Sequence, residues 1–338
     1  MTEPPWEPGT ATGIGSLPGE DPAEAARTVH GDLPDLPHLP ELPARGIGAE
    51  LIGRTAALLV DMPVDLQPSG WRLVDHPGRD LRRAADLLAR DLDALTQAAD
   101  GYSGPLKLQV GGPWTLASSL ELHYGDKAVS DLGATRDLVQ SLAEGVRGHV
   151  ADLARRIPGA RPVLQLDEPS LPAVLSGRVP TASGFGTLAA VEEPTVSAGL
   201  AEMLTVAAGA GAAHTAVHCC APRPPLDLLR GAGAGSLSFD ASVLGAEQDE
   251  QLGAAVEAGV SLWPGVVPAV DSELGDLRRT VDAVRDLWRR LGFAPELLPR
   301  SVVVTPACGL AGASPAYARA AYRRVREAGR ALAEDPEG

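Results

Sequence analysis

The sequence is poor in cysteine, in aromatic residues and in long apolar runs. Three cysteines among 338 residues are too few for a disulfide framework, so the sequence predicts an intracellular, reducing location, the cytoplasm. No run approaches the roughly 18 apolar residues that a membrane span needs. The first ten residues, MTEPPWEPGT, contain neither the basic nor the apolar region of a signal peptide.

The sequence also has too few basic residues to balance its acids. Lysine and arginine together number 29, against 44 aspartates and glutamates, which gives a formal net charge of −15. Nucleic acids and acidic membrane surfaces both attract positively charged proteins. We therefore expect neither nucleic acid nor a membrane among the partners of this protein.

Apolar runs alternate with amphipathic stretches along most of the chain. The runs predict seven strands, at 12–18, 106–113, 162–169, 214–220, 235–242, 260–267 and 301–309. Apolar residues spaced three to four apart predict helices at 81–99, 131–156, 246–258, 274–291 and 314–332. Nearly continuous apolar strands that alternate with helices are typical of a parallel sheet with both faces covered.

An eighth strand candidate lies at 36–42, although its two prolines disfavour a place inside a sheet. Eight β/α units predict an α/β fold of the (β/α)8 TIM-barrel type. An open doubly wound sheet is the alternative, and the absence of a G-x-G-x-x-G or P-loop motif disfavours it. We interpret residues 1–338 as a single domain, with a core at 10–333 and tails at 1–9 and 334–338.

Polar side chains collect where the predicted strands end. They are Ser16, Asp167, Glu168, His218, Cys220, Asp240 and Cys308. Barrel enzymes build their active sites at the carboxyl ends of the strands. The sequence therefore predicts one site from residues that are far apart along the chain.

Four of these residues form a possible metal-ligand set. His218 and Cys220 are two apart on a strand and point the same way, whereas Cys219 points to the other face. Asp240 follows the next strand, and Cys308 follows the last one. One imidazole, two thiolates and a carboxylate favour Zn²⁺ with bonds of roughly 2.0–2.3 Å. The alternative is that the cysteines are small buried hydrophobes and the histidine is structural.

Six motifs in order resemble the C-terminal catalytic barrel of cobalamin-independent methionine synthase. They are TGIGSLP, GGPWTL, VLQLDEPSLP, VHCCA, LSFDAS and TPACGL, and they span 10–312. The wider superfamily includes uroporphyrinogen decarboxylase and the methylcobamide:coenzyme M methyltransferases. The resemblance implies a zinc-dependent methyltransferase that makes methionine from homocysteine, with the zinc-activated thiolate as the nucleophile.

The resemblance also implies a role for each matching residue. The zinc ligands would be His218, Cys220 and Cys308, with Asp240 in the place of the usual glutamate. The homocysteine site would comprise Ile14, Gly15, Ser16, Asp167, which binds the amino group, Glu168, which supports Asp167, and Glu50, which matches loosely as a second carboxylate.

Three departures from the family pattern concern the methyl donor. The chain has no room for the additional N-terminal barrel of the full-length enzymes. The loop after 260–267 lacks the histidine that protonates the leaving folate nitrogen. Asp271 is the nearest titratable group and is the candidate for the catalytic acid. The folate-stacking aromatic segment is missing, with Trp114 and Trp263 as replacements or simply as packing residues. The donor is therefore expected to be methyltetrahydrofolate or a methylcorrinoid.

Other functions remain open at this point. One is a relative of uroporphyrinogen decarboxylase without zinc, in which Arg45 and Arg54 would face an anionic tetrapyrrole. A corrinoid-dependent methyltransferase of the same superfamily is another. The third is a non-catalytic barrel that binds zinc or a thiol.

Overall fold

The computed structural model describes residues 4–338, and its centre is a six-stranded parallel sheet. A small antiparallel hairpin of β1 (Val64–Gln67) and β2 (Gly70–Leu73) precedes this sheet. The parallel strands are β3 (Gly104–Gly111), β4 (Ala160–Asp167), β5 (His214–Cys219), β6 (Ser236–Asp240), β7 (Ser261–Val267) and β8 (Thr305–Pro306). Each strand pairs with the next one along the chain, as expected for successive β/α units.

Helices connect the strands and cover the sheet. They are α1 (Pro22–Asp32), α2 (Leu51–Ala56), α3 (Arg79–Ala98), α4 (Pro113–Ala117), α5 (Leu132–Arg156), α6 (Leu171–Leu175), α7 (Glu193–Gly209), α8 (Leu226–Gly231), α9 (Asp249–Glu257), α10 (Leu277–Leu291), α11 (Leu298–Ser301) and α12 (Pro315–Glu334). Within residues 4–338, none of them is both long and apolar enough to cross a membrane.

Side-chain caps account for several helix starts. The carboxylate of Asp131 accepts hydrogen bonds from two amides in the first turn of α5, and Asp276 does the same for one amide of α10. The Ser314 hydroxyl caps α12 in the same way. Such caps satisfy amides that have no partner inside the helix, and each is worth about 1 kcal/mol.

Two extended segments lie beside the parallel sheet where further strands were predicted. Isolated parallel bridges join Ala11 to Val304, Ser16 to Glu41 and His38 to Lys107. The first segment thus pairs with the chain just before β8 and with the second segment, and the second pairs with β3. Neither segment forms a continuous strand. Pro37 and Pro40 cannot donate backbone hydrogen bonds, which limits the pairing of the second segment.

The apolar residues form two separate clusters. The larger one packs the strands against the helices. The smaller one lies on the opposite face of the strands and consists of Trp6, Leu36, Val163, Ala216, Trp263 and Val303. Two residues beyond Ala216 on β5, the same face carries His218. Inward-facing side chains therefore change from apolar to polar toward the carboxyl ends of the strands, where the candidate site lies.

Candidate metal centre and amino-acid site

Three predicted ligands converge at the carboxyl ends of β5 and β8. One ligand atom from each of His218, Cys220 and Cys308 lies within 4.8 Å of the other two. The two sulfur atoms are 3.1 Å apart, although their residues are 88 apart in sequence. The strand β5 delivers His218, Cys220 follows its end, and Cys308 comes just after β8.

His218 is held in an orientation that suits metal binding. Its Nδ1 lies 2.9 Å from Ser238 Oγ, which β6 places beside it in register. Its Nε2 is buried and has no hydrogen-bond partner among the described residues. Metal-ligating histidines typically use one ring nitrogen for the metal while a hydrogen bond fixes the other. One nitrogen and two sulfurs form a donor set that fits Zn²⁺.

The two sulfur groups differ in acidity. The two sulfurs share one hydrogen bond, in which either sulfur can be the donor. This hydrogen bond lowers the pKa of Cys308 and raises the pKa of Cys220, and nearby His218 lowers the pKa of Cys308 further. The shared hydrogen bond and the imidazole of His218 therefore favour the thiolate form of Cys308. Thiolates are the form of cysteine that binds metals.

Cys219 belongs to the other face of β5. Its side chain is fully buried, and it is not part of the group formed by His218, Cys220 and Cys308. Burial raises the pKa of its thiol to about 12. Cys219 is thus a packing residue, as the alternation of side chains along a strand requires.

Asp240 ends β6 close to the three converging residues but is not one of them. Its Oδ1 accepts hydrogen bonds from the backbone amide of Ser242 at 2.8 Å and from the Ser242 hydroxyl at 2.7 Å. The carboxylate therefore caps the short turn that follows β6. The structure brings together three of the four predicted ligands and gives Asp240 a local partner.

A cavity of about 540 Å³ opens beside Cys308. Asp240, Val267 and Cys308 line it at the ends of β6, β7 and β8, and Asp286 and Arg290 line it from α10. Small-molecule sites typically have volumes of about 300–1,000 Å³. The space next to the cysteines is therefore large enough for a small substrate.

The segment Ile14–Ser16 lies next to Cys308. The backbone amide of Leu310 donates to the Ser16 carbonyl at 2.8 Å. A Cβ added to Gly309 would lie 2.0 Å from Ser16 Oγ, so only glycine allows this approach. A Cβ added to Gly15 would lie 2.8 Å from the Gln109 side chain. The predicted amino-acid segment and the predicted metal ligands therefore meet through backbone contacts.

Asp167 is a buried carboxylate at the end of β4. Its Oδ1 accepts a hydrogen bond of 2.7 Å from Gln165 Nε2. Burial raises the pKa of Asp167, and the charges of His218 and Lys107 oppose this shift. The strand register places Asp167 beside His218, so the carboxylate is next to the possible metal centre.

Glu168 has a structural role that the sequence did not predict. Its side chain is fully buried, and its two oxygens accept hydrogen bonds from the backbone amides of Trp114 and Thr115 and from the Thr115 hydroxyl, at 2.7–2.9 Å. A Cβ on Gly112 would lie 2.3 Å from this carboxylate. Glu168 thus fixes the start of α4, and its hydrogen bonds go to the protein.

Glu50 and Asp271 lie outside the three-residue group. Glu50 caps α2: it accepts hydrogen bonds from the amides of Gly48 and Gly53 and from Trp71 Nε1. Asp271 accepts a hydrogen bond of 2.6 Å from the Ser314 amide at the start of α12. Both carboxylates have partners that explain their presence without a substrate.

The sequence did not predict a set of buried polar residues in and beside the sheet. They are Glu41, Lys107, Gln109, Gln165 and Ser238, and all five are buried. The signal was present in the strands: LKLQV and LQLD carry polar residues two apart within apolar runs. Such spacing places them on one face, which here is the face that carries the site.

The arginines considered for a tetrapyrrole site and the tryptophans considered for folate stacking have other partners or are buried. Arg54 and Arg45 both form ion pairs with the buried Asp91, and Arg54 also faces Glu41. Trp114 and Trp263 are at most 1% exposed. The arginines therefore do not form an open site for an anionic tetrapyrrole, and the tryptophans present no free face for a planar ligand.

Comparison with known proteins decides the family. The model of the cobalamin-independent synthase catalytic domain matches residues 9–331. The chain belongs to this family. No curated protein matches it.

One solved structure shares the fold. The chain is similar to a B12-independent methionine synthase from Shewanella sp. W3-18-1, solved in complex with selenomethionine, with a TM-score of 0.57 and 13% identity over 97% of this chain and 98% of that one. This likeness shows that the parallel α/β fold is shared. Dihydropteroate synthase from Thermus thermophilus covers 98% of this chain, but its TM-score of 0.38, with 12% identity over 99% of that chain, supports no argument.

Proposed function

We propose that this protein is a zinc-dependent methyltransferase that transfers a methyl group to the thiol of homocysteine and releases methionine. The observation that carries the proposal is that one ring nitrogen of His218 and the Cys220 and Cys308 sulfurs lie within 4.8 Å of one another, while the buried Nε2 of His218 has no hydrogen-bond partner among the described residues. Membership of the cobalamin-independent synthase family supports the same reaction.

His218, Cys220 and Cys308 would hold the zinc ion. Nδ1–H of His218 donates to Ser238 Oγ in this arrangement, which leaves Nε2 deprotonated and available. Zinc, when bound, lowers the pKa of a thiol ligand so that the thiolate exists near neutral pH. Asp240 stays a proposed fourth ligand, and its use would require the carboxylate to leave Ser242.

Asp167 and the segment Ile14–Ser16 would bind the amino-acid part of homocysteine. The carboxylate of Asp167 lies beside His218, where it can pair with a substrate ammonium group while the thiol points to the cysteines. Gly15 and Ser16 would offer backbone groups and a hydroxyl. In the transfer, the sulfur–methyl bond forms as the bond from the methyl group to the donor breaks, and the thiol proton is released.

The methyl donor is proposed to be methyltetrahydrofolate or a methylcorrinoid. Donation from methyltetrahydrofolate requires an acid for the leaving nitrogen. Asp271, the proposed acid, already accepts a hydrogen bond from Ser314. A corrinoid donor needs no such acid because its leaving group is the metal centre, and this difference favours a methylcorrinoid.

We also propose that the two extended segments complete a (β/α)8 barrel and that residues 1–338 form a single domain. The bridges from Ala11 to Val304 and from His38 to Lys107 support closure between β8 and β3. The small inner cluster, which takes residues from both sides of this junction, supports it too. The cytoplasmic location stays a prediction.

A metal analysis with a donor screen tests the proposed function. Purified protein should contain about one zinc per chain and form methionine from homocysteine with one of the two donor classes. Protein without stoichiometric zinc, in which Cys308→Ala leaves activity unchanged, would favour a zinc-free relative of uroporphyrinogen decarboxylase. Tight homocysteine binding without turnover with any donor would favour the non-catalytic barrel.

A further inference from the structure

A buried chain of hydrogen bonds links the two parts of the proposed amino-acid site. Lys107 Nζ donates to the Ile14 carbonyl at 2.7 Å and to Gln165 Oε1 at 2.8 Å. Gln165 Nε2 donates to the same carbonyl at 3.0 Å and to Asp167 Oδ1 at 2.7 Å. Lys107 and Gln165 are completely buried. These contacts are therefore shielded from bulk solvent.

Lys107 is an unusual residue at this position. It is one of only two lysines in the chain, and it lies in the middle of β3. Burial lowers its pKa to about 7, while the charges of Asp167 and Glu41 raise it. An apolar side chain would fill the same space without the cost of burying an amine. Packing alone therefore does not explain a lysine here.

The lysine helps to hold the Gln165 amide in one orientation. An amide group has one accepting and one donating end. The ammonium form of Lys107 can only donate, so it binds Oε1 of Gln165 and leaves Nε2 to face Asp167 and the Ile14 carbonyl. Without Lys107, Oε1 of Gln165 would be buried without this donor, and the amide would lose one of the contacts that hold it against Asp167.

We propose that Lys107 is a positioning residue for substrate recognition. Through Gln165 it orients the Asp167 carboxylate, and through the Ile14 carbonyl it holds the segment Ile14–Ser16 in place, so that both fit the amino-acid part of the thiol substrate. This inference rests on the proposed function. Asp167 Oδ1 is taken by Gln165, which leaves Oδ2 to pair with the substrate ammonium group. Lys107 itself does not touch the substrate.

The test compares two thiols on zinc-loaded protein by isothermal titration calorimetry. Homocysteine carries the amino group, and 4-mercaptobutanoic acid has the same chain without it. Lys107→Met keeps the length and removes the charge. We expect it to reduce the preference for homocysteine over 4-mercaptobutanoic acid by about tenfold or more, the value of a hydrogen bond to a charged group. Zinc content and affinity for 4-mercaptobutanoic acid should stay as in the wild type.

Two further variants make the result specific. Tyr322→Phe removes a different buried hydrogen bond, the one of 2.8 Å to His38 Nε2, and should keep the wild-type preference. Gln165→Met breaks the link to Asp167 and should lose the preference as Lys107→Met does. Cooperative melting shows that a variant is folded. If either folded variant, Lys107→Met or Gln165→Met, keeps the wild-type preference for homocysteine, the proposal is overturned.

The wild-type protein separates this proposal from the proposed function. If the wild type binds homocysteine no better than 4-mercaptobutanoic acid, the protein has no site for the amino group. The proposed homocysteine function and the proposed role of Lys107 then both fail. If the wild type shows the preference and Lys107→Met retains it, only the role of Lys107 is wrong.

Discussion

At the scale of single residues, the pair Cys219 and Cys220 shows how strand geometry separates two adjacent cysteines. Cys220 lies with His218 and Cys308, and Cys219 is fully buried on the other face of β5. Nothing in the local sequence distinguishes them chemically. The difference follows from the alternation of side chains along an extended chain.

Exchange of Cys219 or Cys220 for alanine should therefore affect the zinc content of the protein differently. Cys220→Ala removes a sulfur ligand and should release the metal, as measured by metal analysis after dialysis. Cys219→Ala should retain about one zinc per chain and cost only about 1 kcal/mol of unfolding free energy through a small cavity. Equal zinc contents in the two variants would show that the assignment of faces is wrong.

At the scale of structural elements, the contact between Ser16 and Gly309 joins the first extended segment to the chain after β8. A Cβ at position 309 would lie 2.0 Å from Ser16 Oγ. Gly309→Ala should therefore displace the segment Ile14–Ser16, weaken homocysteine binding at least several-fold and lower the melting temperature by several degrees.

A double variant shows whether this contact is the cause. Ser16→Gly removes the hydroxyl that the new methyl group would meet, so Ser16→Gly with Gly309→Ala should recover much of the lost stability. Calorimetric melting of the two single variants and the double variant measures the coupling. Additive effects would mean that Gly309 is needed for another reason.

The helix α5 carries a buried histidine that should make stability depend on pH. Burial lowers the pKa of His149 to about 4, and the positive charge of Arg54 acts in the same direction. The unfolded chain takes up a proton near pH 6.5, whereas the folded chain resists it. Stability is therefore fully present above about pH 6.5 and is lost as the pH falls toward 4, by up to about 3 kcal/mol.

Urea unfolding between pH 7 and pH 4 checks this prediction. His149→Leu should lose less unfolding free energy over this range than the wild type, because the variant has no buried imidazole to protonate. The same pH dependence in both proteins would assign the effect to other groups.

At the scale of the whole molecule, the sequence predicted the order of strands and helices better than their ends. Parallel runs from β3 to β7 and the long helices α3, α5, α10 and α12 follow directly from apolar periodicity. The helix α7 was missed because alanine, glycine and valine surround it on most sides and leave no clear polar stripe. At 36–42 the prolines reduced a predicted strand to isolated bridges.

The site was predictable in its ligands but not in its supporting residues. His218, Cys220 and Cys308 stand out because their side chains coordinate metals and because strand ends bring them together. Glu168 looked similar in the sequence, yet its oxygens are used by the backbone of α4. Hydrogen bonds between residues far apart in the chain decide such cases, and a sequence pattern does not contain them.

The central claim, that His218, Cys220 and Cys308 hold a zinc ion that binds the substrate thiol, can be tested by X-ray absorption at the zinc edge. We predict two sulfur neighbours of zinc in the protein alone and three after homocysteine is added. A sulfur count that does not change with homocysteine, or a protein that binds no zinc, would contradict the account.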